Sequence, residues 1–400
     1  MKYAIVLPDG AADEPLPELG GRTPLQAART PHMDWVAQHG RLGRSVTIPN
    51  GFTPGTDVAT LSVFGYDPHV CYSGRAPIEA AARGLAVQPD EIIFRCNFVS
   101  VLDGRMRDFT AGHIAQAEAD ALIAALNAAG ERGDAALHGC VFHSGVSYRN
   151  LMIAAGADEL QVRCTPPHDI PNQPAADHWP TGPGQARVRG IMARAGELIQ
   201  EHEVNRRRRA AGRDPVTGIW LWGQGRPTAL EPFAKRFGVR GAVITGVDII
   251  RGLAVQMGMK LIHVPGATGY IDTDYAGKGR AAVAALDDFD LVVVHVEAPD
   301  EAAHQGSAQM KIEALERVDE HVVGPLLDKL RRRGEWRMLI APDHVTAVSS
   351  TAHGAAPPPF CYAGQGVAPV EGRPFSEADA AAGGLLLDPG TRLMDLFFGR

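Results

Sequence analysis

Asp300-Glu-Ala-Ala-His304 sets a carboxylate and an imidazole four positions apart, a spacing that puts both on one helix face and lets them approach one cation. Alone, the pair reads first as an N-capping aspartate followed by a solvated histidine. Asp343-His344 follows an apolar run, within Ala341-Pro-Asp-His344, and His353 comes nine residues later in Thr351-Ala-His-Gly354. Adjacent residues on a sharp turn can face two different metals, which a pair on one helix face does less easily. Asp9 stands in the same way after the apolar run Tyr3–Leu7. Together, Asp9, Asp300, His304, Asp343, His344 and His353 supply three carboxylates and three imidazoles. That donor set suits two divalent cations of borderline hardness such as Mn2+ or Zn2+. Paired ions about 3.5–4 Å apart activate an oxygen nucleophile and steady phosphoryl oxygens during in-line displacement.

Such a centre needs a nucleophile. In Thr53-Pro-Gly-Thr-Asp57, Pro54-Gly55 makes a turn and Thr56 sits where a helix begins, with Val58, Leu61 and Val63 as its apolar face. A hydroxyl there lies near free amide N–H groups and the positive end of the helix dipole, which suits an alkoxide or a phosphoryl group. On the residues alone, Thr56 reads first as an N-cap.

The elements that must position these groups follow from hydrophobic patterning. Tyr3–Leu7, Leu291–Val296 and Met338–Ala341 read as short buried strands, each followed by a turn carrying an aspartate. In open parallel sheets ligands collect beyond the carboxyl ends of the strands, where acids far apart in sequence converge. Ile312, Leu315, Val318, Val322, Leu326 and Leu330 predict one amphipathic helix, opened by Asp300–His304 and stopped near Gly334. Gly218–Trp222, Gly241–Ile244 and Lys260–Val264 add strands, and Asp248–Met257 a helix. This alternation predicts an α/β chain with a mainly parallel sheet. Residues 90–214 read differently. Ile92–Phe94 and Asn97–Leu102 are strand-like, an Ala-rich helix ends near Gly130, a Pro-rich segment runs from Thr165 to Gly184, and a long helical region spans Val188–Ala211. An inserted smaller α+β domain is expected there, with 1–89 and 215–400 forming the core. The Arg206–Arg209 run reads as a solvated helix face.

Composition narrows the classes. Four hundred residues predict two or three domains, and 39 Lys+Arg against 46 Asp+Glu give a charge of −7, with no global pull toward nucleic acid or anionic lipid. Five scattered cysteines (Cys71, Cys96, Cys140, Cys164, Cys361) form no CxxC pair and point to neither a disulfide framework nor a cysteine zinc site. The first apolar run is shorter than a secretory core of about 7–15 residues, and nothing approaches the ~18 apolar residues of a membrane span. A cytoplasmic protein with neither nucleic-acid nor membrane partners is expected, its oligomeric state open.

Leu7-Pro-Asp-Gly10, Pro54-Gly-Thr-Asp57, Phe64-Gly-Tyr-Asp-Pro68, Asp300…His304, Asp343-His344 and His353 resemble, in that order, the metal and nucleophile motifs of the alkaline phosphatase superfamily. The closest resemblance is to the archaeal-type cofactor-independent phosphoglycerate mutases. It extends through Tyr72-Ser-Gly-Arg-Ala-Pro77, Arg95-Cys-Asn97, Ser147-Tyr-Arg149, Pro167-His-Asp-Ile170 and Pro265-Gly-Ala-Thr-Gly269.

The resemblance implies an alkaline-phosphatase-like core with an inserted cap. It implies that Asp300, His304 and His353 hold one metal, and that Asp9, Asp343 and His344 hold another that also touches the nucleophile Thr56. The ions are then Mn2+ or Zn2+, with Mg2+ and Co2+ left open. The family usually has serine where this chain has Thr56, whose extra methyl tightens the space for an incoming group. His168 and Asp169 become proton-transfer or orienting groups of the cap, and Arg149 an anion clamp, with Arg75 and Lys278 approaching from the core. The implied activity is the glycolytic and gluconeogenic interconversion of 2- and 3-phosphoglycerate, an isomerase reaction through a phosphoenzyme on Thr56. Homoserine kinase or another phosphotransferase is the alternative, then a phosphatase.

Overall fold

The computed structural model describes residues 1–370 and 372–400. They divide into two compact units, Met1–Tyr72 with Ala229–Arg400, and Ser73–Thr228. In the first, Leu291–Val296 (Leu-Val-Val-Val-His-Val) is buried along its whole length, as a parallel strand covered on both faces requires. It pairs in parallel with Lys2–Pro8 and Gly241–Ile244. Lys2–Pro8 pairs in parallel with Trp336–Ile340 on its other side, and Lys260–Leu261 extends the parallel run beyond Gly241–Ile244. Pro359–Gly364 then enters antiparallel between Trp336–Ile340 and Gly40–Ser45, and Leu386–Leu387 closes an eight-stranded sheet among the described residues. The sheet is therefore mainly parallel within an α/β unit, as patterning predicted. The segments after its parallel strands carry Asp9, Asp343 and, on the helix that follows Leu291–Val296, Asp300.

The single helix expected from Asp300 to Leu330 is several. Ala298–His304 is a helix of its own, because Gly306 turns into the left-handed region at φ +69° and the Ser307 side chain caps a new helix, Ala308–Val318, at Met310 N. A π-helical turn, Asp319–Val323, then joins it to Gly324–Arg331. There the buried Asp319 carboxylate accepts from His32 N (3.1 Å) and Met33 N (2.7 Å), satisfying first-turn donors of the helix Pro31–Gln38. Side-chain periodicity carries no trace of that lateral tie.

The second unit is an antiparallel sheet with helices. Glu91–Leu102 is one continuous strand, where two were expected, pairing with Arg105–Asp108, Arg149–Ala155 and Gly218–Gly225. Gly218–Gly225, expected in the core, belongs here because its tryptophans Trp220 and Trp222 join this unit's apolar interior with Phe94 and Phe98. The unit is wider than residues 90–214 at both ends, taking in the helix Arg75–Ala82 as well. The helical region beginning near Val188 breaks into Gln185–Gln200 and Glu203–Ala210, where the His202 ring accepts from Val204 N. Arg206, Arg207 and Arg209 are exposed, but Arg208 is buried. It pairs with Glu118 at 2.8 Å and donates to Ala111 O and Asp214 O, so this one arginine ties the helix inward.

Candidate active site

Of the groups predicted from sequence, Asp9, Thr56, Asp300, His304, Asp343, His344 and His353 meet at the sheet's carboxyl edge. Asp300 Oδ2 lies 3.1 Å from His304 Nε2, and Asp300 Oδ1 lies 3.4 Å from His353 Nε2. The i and i+4 spacing on the helix Ala298–His304 produces the first of these approaches. The two imidazole Nε2 atoms are 2.9 Å apart. Each ring is held from behind: His304 Nδ1 lies 2.9 Å from Thr351 O, and His353 Nδ1 lies 3.3 Å from Pro54 O. Carbonyls require N–H donors, so both Nδ1 atoms carry hydrogen and both Nε2 atoms face one point, where each offers a lone pair once its proton is lost.

Beside them, His344 Nε2 lies 3.4 Å from Asp9 Oδ1, 3.5 Å from Asp343 Oδ2 and 3.3 Å from Thr56 Oγ1. Asp9, Asp343 and His344 are fully buried, and Asp9 Oδ1 and Asp343 Oδ2 have no hydrogen-bond partner. Burial, then the neighbouring Asp343, Glu297 and Asp300 carboxylates, push the Asp9 carboxyl well above the usual range. Buried carboxylate oxygens aimed together without donors are costly unless a cation joins them, so this donor set fits divalent metal ions. Asp300 belongs to both groups: with His304 and His353, and with Asp9 and His344, its ligand atoms lie within 4.8 Å of the others.

Thr56 is the first residue of the helix Thr56–Val63 and not its cap. That position is Gly55, and no side chain caps the helix. The half-buried threonine hydroxyl points to His344 instead.

Two further residues escaped sequence reasoning because each reads as ordinary core. His295, inside a Val run and fully buried, brings Nε2 within 2.7 Å of Asp9 Oδ2. That contact fixes the Asp9 carboxylate and leaves Oδ1 as its open edge. Burial drops the His295 ring to about 3, so it is neutral. Lys311 is also fully buried, holding Asp13 Oδ2 at 2.7 Å and the carbonyls of Ala12 and Thr346 at 3.1 and 2.7 Å. It thereby ties the turn after Asp9 to the segment after His344.

Lys278, expected at the substrate, is buried with its Nζ 3.3 Å from His295 O; burial lowers its ammonium to about 8. Arg75, Arg149, His168 and Asp169 all fall in the second unit, Arg75 included although it was expected in the core. His168 Nε2 is 3.7 Å from Asp169 Oδ1 and meets the Trp222 ring edge-on, centroids 4.9 Å apart. Arg95, quoted only as part of a motif, is the buried member of this cluster. Its guanidinium lies 4.0 Å over Trp222 and pairs with Glu79 at 3.1 Å. Burial lowers it to about 10, with Glu79 opposing and Arg75 and Arg149 adding to the fall. Arg75 and Arg95 both pair with Glu79 and Arg149 lies near enough to act on Arg95, which leaves local positive charge suited to an anion.

Titration offers one check. In the metal-free protein the hydrogen bond to Asp300, against the cost of burial, raises His304 to about 9. Its unfolded value is near 6.5, so its contribution to metal-free stability is complete below about pH 6.5 and lost as pH rises through about 9. A cation must displace that proton, so Mn2+ affinity should strengthen steadily over the same window, with proton release on binding. Calorimetry in buffers of differing ionisation enthalpy reads both; a flat profile with no proton release contradicts this assignment.

Fold and site together define a class: an α/β protein whose acid–imidazole groups can hold metal ions beside a hydroxyl. A family model described as 2,3-bisphosphoglycerate-independent phosphoglycerate mutase matches residues 37–205. A protein of that name from Methanothrix thermoacetophila is 48% identical over 397 residues, covering 99% of both chains. Another, from Methanothermobacter thermautotrophicus, is 46% identical over 99% of this chain and 97% of its own. Among solved structures, a Pyrococcus horikoshii protein superposes with TM-score 0.81 at 28% identity, covering 100% of this chain and 96% of that one. The cofactor-independent phosphoglycerate mutase of Thermoplasma acidophilum gives TM-score 0.66 at 26% identity, covering 100% and 99%. The chain belongs to the 2,3-bisphosphoglycerate-independent phosphoglycerate mutase family. Among the described residues no helix is long and apolar enough to cross a membrane.

Proposed function

We infer that the protein interconverts 2-phosphoglycerate and 3-phosphoglycerate by passing the phosphoryl group through Thr56. The observation that carries this reading is the Thr56 hydroxyl, 3.3 Å from His344 Nε2 and beside buried acid oxygens that lack donors. Asp300, His304 and His353 are assigned to one divalent cation, and Asp9, Asp343 and His344 to a second that Asp300 also borders, with Mn2+ or Zn2+ the best match to the donors. Bound cations would favour the ionised threonine oxygen and offset charge on the phosphoryl oxygens.

The protein's own steps are then few. Thr56 Oγ1 forms a bond to phosphorus as the bond from phosphorus to one glycerate oxygen breaks, and that oxygen gains the proton Thr56 gives up. The glycerate reorients, its other hydroxyl attacks, and the proton returns to Thr56 as the phosphoryl leaves. Arg75, Arg95 and Arg149 are assigned to grip the substrate's anionic groups, and His168 with Asp169 to carry the proton. Lys278, buried against the His295 carbonyl, is assigned to offset the local acids electrostatically, so that it bears on substrate charge only at a distance. The same reading makes the protein a cytoplasmic isomerase of glycolysis and gluconeogenesis. Purified protein with Mn2+ should equilibrate either phosphoglycerate without releasing phosphate. Phosphate release alone, or product formed only from homoserine and ATP, contradicts the reading.

A further inference from the structure

Between the two groups of candidate ligands stands one fully buried hydroxyl, that of Thr346 in the strand Val345–Ala347. Its Oγ1 lies 2.6 Å from Asp300 Oδ1 and 3.1 Å from His344 Nδ1. A hydroxyl has one proton. Asp300 carries the anionic oxygen, so that proton points to Oδ1, and the Thr346 oxygen then accepts from His344 Nδ1–H. The ring's other nitrogen, Nε2, is left with a lone pair facing Asp9, Asp343 and Thr56. The backbone of Thr346 is fixed on both sides. Its N–H donates to Ala12 O at 3.1 Å, and its carbonyl accepts from Lys311 Nζ at 2.7 Å. Gly10 keeps the space open: at φ +56°, a Cβ there would lie 2.5 Å from both Thr346 Oγ1 and Asp300 Oδ1.

We propose that Thr346 is a positioning residue that couples the two cation-binding groups, orienting Asp300 in one and fixing the tautomer of His344 in the other. This rests on the reading above that both groups hold cations. Because one hydroxyl bonds a ligand of each group, its loss should weaken both sites together, and the hydrogen it holds on His344 Nδ1 separates this role from one exerted through Asp300 alone. Outer partners of metal ligands typically contribute about 10–100-fold in affinity.

The test uses the full-length, metal-stripped protein titrated with Mn2+ by calorimetry. Thr346→Val, which removes only the hydroxyl, should weaken binding at both sites by about 10–100-fold and lower kcat with KM nearly unchanged, whereas Thr346→Ser should bind within a few-fold of wild type. Thr346→Val binding two ions as tightly as wild type overturns the proposal, as does weakening at one site alone. A second measurement does not depend on the variants folding. Nitrogen-15 correlation spectra of the metal-free wild-type protein, with the His344 signals assigned by their loss in His344→Gln, should show hydrogen on Nδ1; hydrogen on Nε2 overturns the proposal. The two readings fail separately. Wild-type protein that binds no Mn2+ or leaves phosphoglycerates unchanged refutes the functional assignment, while a normal wild type with an indifferent Thr346→Val refutes only the coupling.

Discussion

The Thr56→Ala protein should lose phosphoglycerate interconversion by on the order of 10^5-fold or more while binding Mn2+ nearly as the parent does. Thr56 is half-buried at the first position of its helix, where Gly55 and not Thr56 occupies the cap, so losing the hydroxyl removes no capping bond. Its one polar side-chain contact of note is with His344 Nε2, at 3.3 Å. Stability should therefore hold while chemistry stops. Thr56→Ser should keep turnover, because the reacting atom is retained and the lost methyl leaves more room for the incoming group. Initial rates followed by coupled assay, with a thermal melt of each variant, decide the matter. An active Thr56→Ala protein rules out the nucleophile assignment.

Asp300 carries the second large effect. Its oxygens reach His304, His353 and Thr346, and it is the residue common to the two groups. Hydrogen bonds from His304 and His353, working against burial, hold its carboxyl well below the usual range, so it is ionised and ready to bind a cation. Asp300→Ala should weaken Mn2+ binding at both sites by at least about 100-fold, whereas the loss in His304→Ala should be confined to one. Mn2+ stoichiometry after gel filtration, read by metal analysis, separates these outcomes. Equal losses in the two variants would mean that Asp300 serves a single ion.

The difference between what the sequence made legible and what it hid follows from how each residue is held. Asp9, Asp300 and Asp343 were readable because each follows a buried strand, and parallel strands deliver their carboxyl-end turns to one edge. His304 followed from helical spacing. The break after His304 was harder, since the apolar repeat begins only at Ile312 and carries no sign that Gly306 and the Ser307 cap part it from Asp300–His304. The π-helical turn at Asp319 rests on a partner nearly three hundred positions away, at His32 and Met33, which no local pattern encodes. His295 and Thr346 were hidden for a related reason. A histidine in Val-Val-Val-His-Val reads as strand interior, and a threonine two residues past His344 reads as β-branched filler; only the fold reveals what their polar atoms face. Arg208 makes the same point in the second unit, where one of four consecutive arginines turns inward to Glu118.

The central claim is that the Thr56 oxygen itself receives the phosphoryl group. The direct measurement is acid quenching of the Mn2+-loaded protein during turnover of 3-phosphoglycerate, followed by peptide mass spectrometry. A phosphorylated peptide with the added mass on Thr56, formed at a rate no slower than turnover and absent from Thr56→Ala, is the predicted result. Phosphate on another side chain, or full turnover with Thr56 never modified, would contradict the account.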